Sequence, residues 1–128
     1  MNSVYGAIAV RAWELVTTRG LSPPDAWREA VCEQYEELGQ QKNALQHTCP
    51  RGAFLGLCQR GLVRDIGAGA YTASTASSGY ALAAVGLLQA EPELANDKSS
   101  LEKRVFGTRT PNDEVNVVLA LVRHGLLT

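Results

Sequence analysis

Apolar side chains recur at Val4, Ile8, Ala12, Leu15 and Val16, the 3.6-residue spacing of a helix with one buried stripe. Gly20 follows as the residue able to close such a helix in the left-handed conformation. Next comes LSPPDAWREAVCEQYEEL. Ser22 is a natural N-cap, Pro23 and Pro24 fit a first turn, and Asp25 meets the positive end of the helix dipole. Ala26, Trp27, Ala30, Val31, Gln34, Tyr35 and Leu38 give this second helix one buried face. Residues 39–48 are polar and read as a loop.

A third helix is predicted over CPRGAFLGLCQRGLV. Thr48 or Cys49 caps it, and Pro50 is its first helical residue. At 100° per residue, Ala53, Phe54, Leu57 and Cys58 share one arc, while Gly52, Gly56, Gln59 and Arg60 lie opposite. Gly61 ends the helix and Leu62 packs back, the pattern of a Schellman turn. LVRDI (62–66) alternates like a strand, GAG (67–69) supplies a tight turn, and AYTAS (70–74) reads as the returning strand. A fourth helix is expected near residues 79–90. A fifth is capped by Ser99 or Ser100 and runs to Phe106; a sixth is opened by Pro111 after Thr110, runs through His124 and is closed by Gly125. LALVRHGLL near the C-terminus echoes LGLCQRGLV; a shared ending of this kind follows from capping physics and need not mean duplication, with a true internal repeat as the less favoured alternative.

This order predicts a mainly α fold: a compact helical domain of about six helices with a small β-hairpin, winged helix-turn-helix-like. A plain helical bundle with an incidental hairpin is the competing architecture. The length of 128 residues suits a single domain, 1–128, and 45% hydrophobic residues suffice for a real core. The longest apolar run, Val115 to Val122, is broken by Asn116 and falls far short of the ~18 residues of a membrane span. Asn2 to Ala12 lacks the cationic start and apolar run of a secretory signal. A soluble, cytoplasmic protein with reduced thiols is therefore expected, without membrane contact.

The net charge of −1 and pI near 6.1 count against a general nucleic-acid binder but leave room for a local patch. Charge is unevenly spread. Between residues 20 and 38, Arg28 stands against Asp25, Glu29, Glu33, Glu36 and Glu37. Between 39 and 64, Lys42, Arg51, Arg60 and Arg64 stand with no acid. Such segments form either two solvated faces or two working ones.

His47, Cys49 and Cys58 lack the close ligand pairs of a structural zinc site, so no metal is expected. Cys58 lies on the apolar arc, where a thiol behaves as a small hydrophobe. Cys49 at a helix start, beside Arg51 and near His47, could form a reactive thiolate. No orienting group or oxyanion hole is recognisable, so Cys49 reads as a cap or a packing residue. Trp13, Trp27, Tyr35, Phe54 and Phe106 read as core, and His124 as a cation at a helix C-terminus. Asp113 and Glu114 read as first-turn helix acids. No phosphate loop, dinucleotide fingerprint or zinc-protease motif is present in the sequence, and no cofactor or small-molecule substrate is expected.

What remains is a non-enzymatic macromolecule-binding protein. In the first reading the third helix is a recognition helix for nucleic acid: Arg51, Leu55 and Gln59 face bases, Lys42, Arg60 and Arg64 meet phosphates, and Tyr71 touches the backbone. In the alternative the protein is a small protein–protein inhibitor of anti-defence type. There Glu29, Glu33, Glu36 and Glu37 on the acidic helix occupy a partner's basic groove. Gly52 and Gly56 mark a close backbone approach, to a neighbouring helix or to a ligand.

The stretch CPRGAFLGLCQRGLVRDIGAGAYTAS, with YALAAVGLL and VNVVLALVRHGLL, resembles a family of small bacterial proteins without established function. The resemblance spans nearly the whole chain. It implies a shared element of Cys49, Pro50, Phe54, Gly56, Leu57, Cys58, Gly61, Leu62, Tyr71 and Thr72. It implies no activity and no catalytic residue.

Overall fold

The computed structural model describes residues 4–37, 48–73 and 75–127. Among the described residues the regular structure consists of six α-helices and one 3-10 turn: α1 (Val4–Arg19), α2 (Pro23–Glu37), α3 (Thr48–Gln59), α4 (Ala76–Ala90), the 3-10 turn Pro92–Asn96, α5 (Lys98–Phe106) and α6 (Glu114–Arg123). The stretch 39–48 read as a loop lies outside the described residues, except that Thr48 belongs to α3.

Local chemistry explains most helix ends. Ser22 Oγ accepts from Asp25 N–H at the start of α2, and Gly20 lies at φ +68 after α1. Asp97, not Ser99 or Ser100, caps α5: its Oδ1 accepts from Ser100 N–H and its Oδ2 from Ser100 Oγ–H. A carboxylate competes better than a hydroxyl for the free amides of a first turn. α6 begins at Glu114, not Pro111. Asp113 sits at φ +72, and Glu114 turns inward, almost fully buried, to accept from Asn112 N–H at 2.8 Å.

The core is continuous from α1 to Leu126, and α3 runs through its middle. Residues 52–58 of α3 are all buried. The expected apolar arc of Ala53, Phe54, Leu57 and Cys58 is inside, but so are Leu55 and, from the opposite side, Gly52 and Gly56, while Gln59 is half-buried and Arg60 exposed. The cause is that α3 packs on α2, α4 and α6 at once. Trp27 of α2 stacks on Phe54 with ring centroids 5.4 Å apart, and Phe106 and Tyr80 meet at 4.5 Å. Trp13 is only half-buried, because its indole N–H reaches out to the Arg64 carbonyl at 2.7 Å.

The β-hairpin and the winged helix-turn-helix are corrected by this arrangement. Among the described residues no strand forms. Val63 makes a single antiparallel bridge, and its partner is Leu127, not a residue of 70–74. Arg64 N–H donates to the Leu126 carbonyl at 2.6 Å. The expected alternation over 62–66 is not seen: Val63 and Ile66, three residues apart, are buried, Arg64 and Asp65 between them are exposed, and Val63 is held by the core and by Leu127. Residues 67–73 have no ladder partner and form an irregular loop.

Candidate functional site

Both α3 and α6 end in Schellman turns. Gly61 (φ +71) and Gly125 (φ +67) take the left-handed position. Leu62 N–H bonds to the Leu57 carbonyl and Gly61 N–H to that of Cys58; Leu126 N–H bonds to Leu121 and Gly125 N–H to Val122. The Val63–Leu127 bridge then ties the two turns together. One end of the molecule therefore carries Arg60, Arg64, Arg123 and His124, all exposed. Asp65 is the only acid in residues 59–73 and 119–127. It lies 4.0 Å from Arg64, with both side chains about two-thirds exposed, a distance and exposure at which an ion pair contributes little.

The loop after this end is fixed by bonds from its two flanks. Gln59 Oε1 accepts from Tyr71 N–H (2.9 Å) and Thr72 N–H (3.0 Å), and the Gln59 carbonyl accepts from Gly69 N–H. Tyr71 O–H donates to the Gly67 carbonyl at 2.7 Å. A side chain at Gly69 would strike the Tyr71 ring at 2.9 Å. Residues 67–70 are thus an exposed, small-residue tip on a braced base.

The residues expected to bind nucleic acid are only partly brought together. Arg60 and Arg64 share the basic end, with Tyr71 on the adjoining loop. Arg51 is half-buried near the start of α3, eight residues and so ~12 Å of helix from Gln59. Leu55 is completely buried and has no surface to offer a base. Gln59 is spent on the loop's backbone. Lys42 lies outside the described residues. Arg123 and His124 join the basic end through the contact of Val63 with Leu127, far apart in sequence, which no local pattern announces.

On α2, Glu29 is exposed. Glu33 is held by Arg11 of α1 through two bonds, 2.8 and 3.4 Å. The bond from Arg11 holds the Glu33 carboxyl below its usual range, and Glu33 in turn raises the guanidinium's pKa. Half of that pair's charge is therefore lost to a partner. The side chains of Glu36, Glu37 and Tyr35 lie outside the described residues.

The three cysteines are free. Cys58 is sealed in the core, and burial pushes its thiol up to about 12, consistent with packing and not reactivity. Cys49 is half-buried within the first turn of α3. Among the described residues no three His, Cys, Asp or Glu side chains gather closely enough to hold a metal ion, and no helix is long and apolar enough to cross a membrane. Gly56 owes its place to helix packing: a Cβ there would lie 2.1 Å from the Cβ of Ser78 on α4.

No curated protein and no solved structure matches the chain. The model of one family does match, over residues 1–128: by its sequence this protein belongs to DUF6979, a family of unknown function.

Proposed function

We propose that this is a non-enzymatic nucleic-acid-binding protein that meets phosphates at the end where α3 and α6 terminate. The observation that carries the reading is the Val63–Leu127 bridge, which brings together two segments that carry Arg60, Arg64, Arg123 and His124 and a single acid of their own, Asp65. Cations at a helix C-terminus also complement its dipole, by about 0.3–1 kcal/mol at an exposed site. That need is met with the side chains still facing water; Arg123 also donates to the Ala95 carbonyl at 3.4 Å, so the guanidinium groups of Arg60 and Arg64 are the ones most open to phosphate. The reading keeps the phosphate contacts expected of Arg60 and Arg64. It gives up the recognition helix, since α3 is buried and no hairpin stands beside it to serve as a wing.

The test is anisotropy of a labelled 20-base-pair duplex titrated with protein at 50 and 200 mM salt. Three phosphate contacts predict about a 40-fold loss of affinity across that range. The R60E/R64E variant should bind at least tenfold more weakly at 50 mM. Absence of binding by the native protein at low salt overturns the reading.

The alternative, an inhibitor presenting the acidic face of α2, draws support from exposed Glu29. In that case Glu29→Lys abolishes capture of a protein partner from nuclease-treated lysate, while R60E/R64E leaves capture intact.

A further inference from the structure

We infer that the chain is two copies of one three-helix unit, α1–α3 and α4–α6, related by an approximate two-fold axis through the Val63–Leu127 bridge. Residues directly opposed in an antiparallel pair are related by a local two-fold. Val63 and Leu127 are opposed, and each is the second residue after a Schellman glycine, Gly61 or Gly125. They are the same position of the two units. A chance contact between helix ends has no reason to pair matching positions.

The helix crossings repeat the relation. α1 packs on α6, and α3 packs on α4, so each unit's third helix covers the other's first. Extending the match from Gly61 and Gly125 back along the helices aligns Gly56 with Ala120. A Cβ at Gly6 would lie 2.9 Å from the Ala120 Cβ; a Cβ at Gly56 would lie 2.1 Å from the Ser78 Cβ. Gly6 and Ser78 are thereby matched, and the alignment they set is met further along. Ala9 and Ala12 fall on Ala81 and Ala84, and all four are fully buried. Tyr5 falls on Ser77, both buried; Ala7 falls on Gly79 and Glu14 on Gly86, all exposed. The second helices start alike, with Ser22 and Asp97 accepting from the amide three residues on. The units differ in their joints, since a 3-10 turn precedes α5 and α5 is shorter than α2, and in packing, since α4 lies on α6 whereas α1 barely meets α3.

The axis also assigns Gln59 to Arg123 and Arg60 to His124, so the basic end is one site built by both copies. This last step rests on the nucleic-acid reading; the duplication does not.

The duplication is tested by exchanging the order of the units. By the two-fold, the gap from Leu127 to Val4 equals the gap from Val63 to Ala76, which residues 64–75 span. A permutant made of residues 74–127, a second copy of 64–75, then residues 4–73 should show the native helical circular dichroism spectrum. It should also melt in one transition within about 10 °C of the parent. A second test stays within the native order. Gly56→Ala alone should lower the melting temperature by about 5–10 °C. G56A/S78G, which recreates at this crossing the alanine-over-glycine contact of Ala120 and Gly6, should recover most of that loss. A permutant without cooperative melting together with a double variant no better than G56A overturns the duplication.

The shared site is read from salt dependence in the native order. R60E and R123E should each lower the slope of log affinity against log salt by about one. A slope changed by R60E alone overturns the shared site, and a native protein that binds no duplex removes the nucleic-acid reading while the permutant still decides the duplication.

Discussion

Cys58 shows how environment decides the role of a single group. The sequence offers three thiols of equal intrinsic reactivity; the fold makes them unequal. Cys58 has no accessible surface, whereas Cys32 and Cys49 are half-buried. Desolvation disfavours the thiolate, which pushes the Cys58 pKa from the ordinary 9.0 to about 12. Reaction of the native protein with a thiol-disulfide reagent at pH 8 should therefore consume two thiols, the third following only at the rate of unfolding. Three thiols reacting in one fast phase would mean that α3 is not the enclosed helix described. The sign for stability also follows. A neutral thiol is held in the folded state, so its contribution is full below pH 9 and is lost as pH rises from 9 towards 12. Cys58→Val, of similar volume, should remove this part of the alkaline loss.

At the scale of elements, the two Schellman turns invite a paired comparison. Gly61 and Gly125 have nearly the same positive φ, which costs an alanine about 1–2 kcal/mol. Around Gly125 nothing lies within 4 Å of an added Cβ; at Gly61 the Ala68 Cβ is 3.4 Å away. Gly125→Ala should thus cost backbone strain alone, about 3–6 °C in melting temperature. Gly61→Ala should cost the same plus whatever the braced loop must give. Equal melting temperatures would show the loop to be freely displaced. These glycines were legible in the sequence, as were the N-cap Ser22, the apolar arc of α3 and the number of helices. Such features rest on residues within a few positions of one another. The illegible ones are all long-range. Leu55 was placed off the apolar arc because periodicity describes one buried side, and α3 has neighbours all round. Residues 62–66 read as a strand, but only Val63 and Ile66, three apart, are buried, and the partner of Val63 is Leu127. Gln59 read as a surface polar residue and instead braces Tyr71 and Thr72. Half of the basic end, Arg123 and His124, is joined to the other half only by folding.

For the molecule as a whole, the two-fold arrangement means that each unit's core is completed by the other: α1 packs on α6 as well as on α2, and α4 on α3 as well as on α5 and α6. Stability then depends on joints that hold each unit's first two helices in place for the other unit's third. In the first unit the packing of α1 on α2 is supplemented by the Arg11–Glu33 pair. The second unit has the bond between Arg104 of α5 and Glu91 after α4. The Glu33 carboxyl is held below its ordinary 4.5, chiefly by the hydrogen bond from Arg11, and Asp97 below its ordinary 3.8 by its bonds from Ser100. Groups depressed in the folded state contribute stability above the unfolded pKa and lose it as pH falls through the folded value. The protein should therefore lose stability below about pH 4.5. With both partners of the Arg11–Glu33 pair more than a third exposed, the pair is worth roughly 0.2–1 kcal/mol. Glu33→Gln should accordingly lower the melting temperature by about 1–4 °C at pH 7, and this gap should close by pH 2.5. A gap that persists unchanged at pH 2.5 would mean that Glu33 acts through packing and not charge, and that α1 and α2 are joined by their apolar faces alone.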